Sequence, residues 1–337
     1  MRHIVSAALI AATALAPLAL KAQSDQHLYK QSAKYVLGGE GGWDYLTYDP
    51  AGDRLFITRG SHVMVVEAAN GKVVGDIPAT GAHGVALVPD QNKGFLSNGR
   101  AGTVTAFDLK TLKPVGDIKV GENPDAIIYD PNSKKVIVMN GRSKDVSVVD
   151  PAAMLVTNTI PAGGKLEFAA ADPGHVYVNV EDTNELVVVD SNSWAITKRI
   201  ALKPCESPSG LAIDTKANKL FPGCDDMIAI VDPASSKVET LKAGAGIDAM
   251  GFDPELGYAV SSNGQSATLS VVGNEGGTYK VIDTVPTQKG ARTLAMDTKN
   301  HRVFVVTSEF EPQKEGERRP AMKPGTFTLL VYQATKK

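Results

Sequence analysis

The stretch from Gly121 to Ala162 alternates short apolar runs with clusters of turn-forming residues. Four runs rich in Val and Ile can be delimited, at Asp125–Asp130, Lys135–Asn140, Val146–Asp150 and Thr157–Ile160. Between them lie Asp-Pro-Asn-Ser, Asn-Gly-Arg-Ser and Asp-Pro-Ala, whose residue types favour tight turns. The pattern predicts four short strands joined by turns.

The same unit recurs along the chain. The Asp that closes the first run of each unit returns every 39 to 44 residues, at Asp49, Asp90, Asp130, Asp172, Asp214, Asp253 and Asp297. A period near 40 with four strands per unit is typical of β-propeller blades. The sequence therefore predicts an all-β, seven-bladed β-propeller with four-stranded blades. The recurrent Asp residues themselves are expected to initiate turns.

The two ends of the chain are expected to complete one blade. The last repeat, Gly290–Tyr332, lacks a fourth strand, whereas Leu28–Leu37 has strand-like spacing before the first repeat. We predict that this N-terminal strand is the outer strand of the last blade and closes the ring. Residues 309–325 of the same repeat form a charged insertion with three prolines. It is a lid, a partner contact or plain surface.

Three segments carry a resemblance to a known family. They read VIVMNGRSKDVSVVD (Val136–Asp150), GFLSNGRAGTVTAFD (Gly94–Asp108) and YAVSSNGQSATLSVV (Tyr258–Val272). In this pattern the chain resembles the YncE-like, YVTN-repeat family of seven-bladed propellers from bacterial envelopes. The resemblance implies the fold and says little about function, because propellers host many activities.

The N-terminus is typical of a secretory signal. Arg2 and His3 precede the apolar run Ile4–Leu20, and Ala22 lies at a polar junction. We predict a signal peptide over residues 1–22, with an uncleaved anchor as the alternative, and one propeller domain over 23–337. The mature protein is then periplasmic or secreted, without membrane insertion. A formal net charge of −2 argues against nucleic acid as a partner, and we expect a monomer.

In a propeller, the loops that lead into the inner strands share one face with the loops between the second and third strands. Both sets converge on the mouth of the central channel, which is the expected ligand site. The predicted ligand-binding residues in these loops are Trp43, Asp44, His83, Arg100, Asp125, Asn140, Arg142, Glu167, Glu181, Asp248 and Arg292.

Charge along these loops is uneven. Arg59, Arg100 and Arg142 come from repeats one to three, and carboxylates dominate repeats four to six. We therefore expect a mouth that is basic on one half and acidic on the other, with Asp125 or a ligand between Arg100 and Arg142. The predicted function is binding of a small polar or anionic ligand, or of an envelope protein, without chemistry of its own.

An enzyme is the alternative. Propeller lactonases have a similar architecture, and a hydrolase or lyase of that type would hold a divalent cation through carboxylates and Asn, for example Glu167, Asn140 and Asp248. Calcium or magnesium would suit such oxygen ligands. No other cofactor is predicted, and the metal ligands are not identified by the sequence. His83 is either a general base or a hydrogen-bonded channel histidine.

Two cysteines, Cys205 and Cys224, lie in the two mouth-side loops of repeat five. Export permits a disulfide between them, and we predict that bond. A free pair and a catalytic thiol are the alternatives.

Overall fold

The structure is a computed structural model that describes residues 26–314, 316 and 320–335. The predicted signal peptide, residues 1–22, lies outside the described residues. In this part of the chain, 27 strands form antiparallel sheets, and the predicted all-β propeller fold is confirmed.

Four of the sheets each contain one complete repeat. Their strands are β9 (Pro124–Asp130), β10 (Lys135–Asn140), β11 (Asp145–Asp150) and β12 (Leu155–Pro161); β13 (Leu166–Asp172), β14 (His175–Val180), β15 (Glu185–Asp190) and β16 (Ala195–Ala201); β17 (Leu211–Asp214), β18 (Lys219–Cys224), β19 (Met227–Asp232) and β20 (Lys237–Lys242); and β21 (Ile247–Asp253), β22 (Tyr258–Asn263), β23 (Thr268–Glu275) and β24 (Thr278–Pro286). The four runs predicted between Gly121 and Ala162 correspond to β9–β12.

The first two repeats share one seven-stranded sheet. Its strands are β2 (Leu46–Asp49), β3 (Arg54–Thr58), β4 (Gly60–Glu67), β5 (Val73–Val88), β6 (Lys93–Asn98), β7 (Thr103–Asp108) and β8 (Pro114–Lys119). The first half of β5 pairs with β4, and its second half pairs with β6. One continuous strand therefore serves as the outer strand of repeat one and the inner strand of repeat two. The count of seven blades stays a prediction from the repeats.

The ends of the chain meet in the last sheet, as predicted. This sheet has the order β1 (Tyr29–Val36), β27 (Thr328–Ala334), β26 (Arg302–Thr307) and β25 (Leu294–Asp297). The pairing of β1 with β27 runs from Tyr29 opposite Ala334 to Val36 opposite Thr328. The N-terminal strand thus covers an edge that would otherwise be open.

Burial explains the sequence pattern of the strands. The middle strand β10 is buried at five of its six residues, because both of its faces pack against neighbouring sheets. Such strands are continuously apolar. The outer strand β12 alternates between exposed residues and half-buried or buried ones, which is the pattern of a strand with one face towards solvent.

Five of the recurrent Asp residues accept a hydrogen bond from the backbone N–H two residues further on, as expected for turns: Asp49, Asp130, Asp214, Asp253 and Asp297. The third strand β11 ends in the same way. Asp150 accepts hydrogen bonds from the backbone N–H groups of Ala152 and Ala153 and an ion pair from Lys135 at 2.7 Å. The backbone N–H of Ala153 and the ammonium of Lys135 lower the pKa of Asp150 to about 2. Repeat two differs, because its inner strand ends at Val88 and a 3₁₀ turn, Pro89–Gln91, follows. The repeat landmark placed at Asp90 was therefore two residues too late.

The predicted disulfide joins Cys205 and Cys224, whose Cα atoms are 5.6 Å apart. Both cysteines are buried. The bond fastens the loop before β17 to the end of β18. Among the described residues, no helix is long and apolar enough to cross a membrane.

Replacing both cysteines with serine is expected to lower the free energy of unfolding by about 3 kcal/mol, because the bond closes a loop of roughly 20 residues. Urea unfolding of the variant, with the oxidised wild type measured in parallel, checks the value. An unchanged midpoint and slope would contradict it.

Candidate functional site at the channel mouth

Each repeat places one side chain at the same position at the mouth, five residues before the last residue of its inner strand. We call this set the mouth ring: Asp44, His83, Asp125, Glu167, Ser209, Asp248 and Arg292. The ring contains four carboxylates, a histidine, a serine and an arginine. Because the positions are equivalent, the repeat itself brings these groups to one level of the channel.

His83 bridges two of the carboxylates. Its Nδ1 lies 2.6 Å from Oδ2 of Asp44 and 3.6 Å from Oδ1 of Asp125. Burial alone would lower the pKa of His83, but the hydrogen bond to Asp44 and the charges of Asp125, Asp44 and Glu167 outweigh it and raise the pKa. The imidazole therefore tends to carry a proton between the two carboxylates.

Ionisation of Asp125 and Glu167 places negative charge at the ring that the neighbouring cations compensate only in part. Burial raises the pKa of Asp125 to about 6, against the lowering effect of His83. Burial and the charge of Asp125 raise the pKa of Glu167 to about 8, although Lys165 lies 2.8 Å from its Oε1. Lys165 also contacts Glu181, so one ammonium serves two carboxylates.

The other side of the ring is more fully paired. Nε of Arg292 donates to Oδ2 of Asp248 at 2.8 Å, and Ser209 donates to Oδ1 of Asp248 at 3.1 Å. Burial nevertheless raises the pKa of Asp248. Arg292 also donates to the backbone oxygen of Trp43 and lies 4.8 Å above its ring. The Arg292 guanidinium is thus held in place from two directions.

The insertion of the last repeat borders this side. The backbone ladder of its base pairs Phe310 with Met322, and Phe310 packs against Trp43 with ring centroids 6.3 Å apart. The base of the insertion is therefore attached to the mouth through Trp43.

An aromatic floor lies under the ring. The hydroxyl of Tyr45 is 3.4 Å from Oε2 of Glu167, and its ring packs on Phe168 with centroids 5.3 Å apart. Glu167 and Phe168 belong to repeat four, so Tyr45 reaches across the channel from repeat one. Burial and the charges of Glu167 and Asp125 hold the pKa of Tyr45 well above its usual range.

Below the floor is a cavity of about 630 Å³. Its lining is mainly apolar and extends from Tyr45 and Phe168 to Pro50, Pro89 and Pro131 at the far ends of the inner strands. None of the ring residues lines it. This cavity is thus separated from the charged mouth by Tyr45.

Several residues predicted for the mouth have other surroundings. Asn140 is fully buried and donates to Asp145 and Ser147 within its own blade. Its Oδ1 is buried without a hydrogen-bond partner among the described residues, so its role as a ligand beside Glu167 and Asp248 stays a prediction. Arg100 and Arg142 are exposed in the second loop set, and Asp125 pairs with His83 and not with them.

Arg59 was expected at the mouth, but its side chain lies inside the protein. Its guanidinium is buried, lies 3.6 Å from the ring centroid of Phe327 and donates to backbone oxygens of the preceding loop. Asp44 and Asp125, in contrast, lie in the half expected to be basic. The arrangement is a ring rich in carboxylates and not a mouth divided into two charged halves.

The aromatic floor formed by Tyr45 and Phe168 was not predicted from the sequence. The residue after each ring position is Tyr45, Gly84, Ala126, Phe168, Gly210, Ala249 or Thr293. Only Tyr45 and Phe168 are large in this set, so an alignment of the repeats by their strand ends would have identified the two side chains that fill the channel.

No protein-family model matches the chain. Over 95 residues it is 30% identical to the uncharacterised protein YncE of Salmonella typhimurium, a stretch that covers 28% of this chain and 27% of YncE. YncE of Salmonella typhi matches equally. The chain thus matches about a quarter of the length of these curated relatives.

Solved structures resemble the whole fold. A chain of the mitotic checkpoint complex superposes with a TM-score of 0.75 at 14% identity, covering 98% of this chain and all of the other. A chain of Kuenenia stuttgartiensis hydrazine synthase superposes with a TM-score of 0.67 at 16% identity, covering 78% of this chain and 92% of the other. Identities this low inform the fold alone. Together with the YncE match, they confirm the resemblance noted above: this chain is a β-propeller similar to YncE.

Proposed function

We propose that this protein is exported and binds a small, positively charged polar ligand at the mouth ring, without chemistry of its own. The observation that carries the proposal is the concentration of carboxylates at equivalent positions of the repeats. Raised pKa values at Asp125, Glu167 and Asp248 mean that ionising these groups in the folded protein is costly. A bound cation would reduce that cost.

The fixed cations of the site are already engaged. Arg292 pairs with Asp248, and Lys165 is shared by Glu167 and Glu181. With Arg59 buried, the ring offers few groups to an anion. The geometry therefore supports a cationic ligand better than the anionic ligand expected from the sequence.

Export is part of the proposal. The signal-like pattern of residues 1–22 and the disulfide between Cys205 and Cys224 both suit an oxidising compartment. The periplasm or the exterior of the cell is the proposed location.

Two probes of equal length and opposite charge test the function. In titration calorimetry at pH 8.5 we expect butane-1,4-diammonium to bind and succinate not to bind. Replacing Asp125 with Asn and Glu167 with Gln together should weaken diammonium binding about tenfold or more, because both uncompensated carboxylates are lost.

The control carries the same change in charge on the same face. Glu122 and Glu206 are exposed acids in loops that lead into inner strands, and their double replacement with Gln should leave binding unchanged. Equal losses of diammonium affinity in both double variants would indicate that the total negative charge of this face, and not the mouth ring, attracts the ligand. Tighter binding of succinate than of diammonium would refute the proposal.

A further inference from the structure

We propose that Asp44, His83 and Asp125 form a binding site for one divalent ion of the zinc type. The inference rests on the proposed function and makes it more specific, because it assigns the bound cation to one arc of the mouth ring. The three residues come from consecutive repeats, and one ligand atom from each lies within 4.8 Å of the other two.

The distances are close to those of a metal site. Zinc bonds near 2.0–2.2 Å in a tetrahedron separate neighbouring ligand atoms by about 3.3 Å. Nδ1 of His83 is 3.6 Å from Oδ1 of Asp125, so this edge already has the required length. The contact of Nδ1 with Asp44, at 2.6 Å, is a hydrogen bond that has to lengthen by less than an ångström, and side-chain rotation provides that.

The environment of Asp125 independently points to a cation. Its side chain is only 14% exposed, and its one ion-pair contact among the described residues is His83 at 3.6 Å. None of the hydrogen bonds described for this part of the chain ends on its carboxylate oxygens. A buried carboxylate without donors is costly, and an ion between Asp125, His83 and Asp44 would bond to it directly.

The ligand types select the ion. Calcium and magnesium prefer sites made of oxygen atoms, whereas an imidazole favours zinc and its first-row neighbours. One nitrogen and two carboxylate oxygens also leave a fourth tetrahedral position for water or for a ligand that enters from the mouth. The charges balance, since two carboxylates neutralise one divalent ion.

A backbone feature orients the imidazole. An added Cβ at Gly99 would lie 2.6 Å from Nε2 of His83 and 3.0 Å from Oδ1 of Asn123. Only a glycine therefore lets the imidazole lie where Nδ1 faces both carboxylates. Gly99→Ala keeps all three ligands and displaces one of them.

The test uses the whole mature chain after removal of metals with a chelator. Zinc chloride titrated by calorimetry, with metal analysis after gel filtration, should show one ion per chain, and cobalt(II) should give visible bands of low-symmetry N/O coordination. Asp125→Asn and His83→Gln should each weaken zinc binding more than about 100-fold, and Gly99→Ala about tenfold, which is typical of a lost orienting contact.

Matched controls separate this site from others. His62 and Asp76 form a second histidine–carboxylate pair, at 3.7 Å, and His62→Gln should leave zinc binding unchanged. Gly116 would meet only the end of Met154, at 3.6 Å, so Gly116→Ala should have no effect. Circular dichroism checks that each variant is folded. The cobalt spectrum is measured on the wild type, so it tests the site even if a variant fails to fold.

Zinc binding that survives His83→Gln, equal affinity for calcium, or no stoichiometric zinc would each overturn the inference. Diammonium binding without zinc binding would refute only the metal site, whereas absence of both would also refute the proposed function.

Discussion

Replacing Arg59 with alanine is expected to lower the free energy of unfolding by about 4 kcal/mol, since several hydrogen bonds to a buried charged group are lost together. The guanidinium donates to the backbone oxygens of Gly38, Glu40, Gly41 and Gly42 at 2.9–3.3 Å. It also stacks on Phe327. Burial lowers the pKa of Arg59 to about 10, which still leaves it charged at neutral pH.

The same substitution should disturb the mouth. Residues 38–42 lead directly to Trp43 and Asp44, and the Arg59 side chain is the centre around which this loop is wrapped. We therefore expect weaker binding of butane-1,4-diammonium and a shift in Trp fluorescence in addition to the loss of stability.

Urea unfolding measures the effect, and two variants define its cause. Arg59→Lys keeps a charge but cannot reproduce the planar fork of donors, so it should recover less than half of the loss. Arg100→Ala removes an exposed arginine and should change stability by no more than about 0.5 kcal/mol. A loss in Arg59→Ala no larger than in Arg100→Ala would show that the buried contacts do not support the fold.

The propeller could be predicted because its information is local and repeated. Val and Ile runs between turn residues define each strand, and a period near 40 residues defines the blade. The position of β1 followed from a count, because the last repeat lacked one strand. The merging of repeats one and two through β5 could not be predicted in the same way. It depends on residues 79–82 staying extended where other repeats have a loop.

The site was only partly predictable. The repeat identified Asp44, His83 and Asp125 as mouth residues, because equivalent positions of a propeller share one level. It could not show that Arg59 turns inward, since that depends on the backbone oxygens of a glycine-rich loop that has no counterpart in the other repeats. Nor could it show that Asn140 is used inside its blade, where Asp145 and Ser147 face its amide.

Stability is expected to fall as the pH rises from about 5 to 9, chiefly through Glu167. In the unfolded chain this carboxyl loses its proton near pH 4.5, whereas in the folded protein burial and Asp125 raise the pKa to about 8. Between these values the folded state holds the proton and the unfolded state does not. The stabilisation is therefore fully present below pH 4.5. It declines by up to about 1.4 kcal/mol per pH unit between pH 4.5 and 8 and is gone once the pH has passed 8.

Neighbouring groups act in the same direction. The pKa of Asp125 is raised to about 6, so its contribution is lost in the lower part of the range, and the raised pKa of His83 adds a loss above 6.5. Asp150, whose pKa is lowered to about 2, titrates in acid and does not affect this window.

Glu167→Gln isolates the main contribution. It removes the ionisation and keeps an oxygen for the hydroxyl of Tyr45, which lies 3.4 Å from Oε2 of Glu167. Unfolding free energies at pH 5, 7 and 9 should decline less steeply in this variant than in the wild type, and the variant should be the more stable protein at pH 9 by roughly 2–4 kcal/mol. Glu206→Gln, at an exposed acid in another mouth-side loop, is the control and should retain the wild-type slope. Parallel pH profiles of the unfolding free energy for the wild type and Glu167→Gln would mean that Glu167 is ionised in the folded protein at neutral pH. A raised pKa of Glu167 would then no longer support a cationic ligand at the mouth ring.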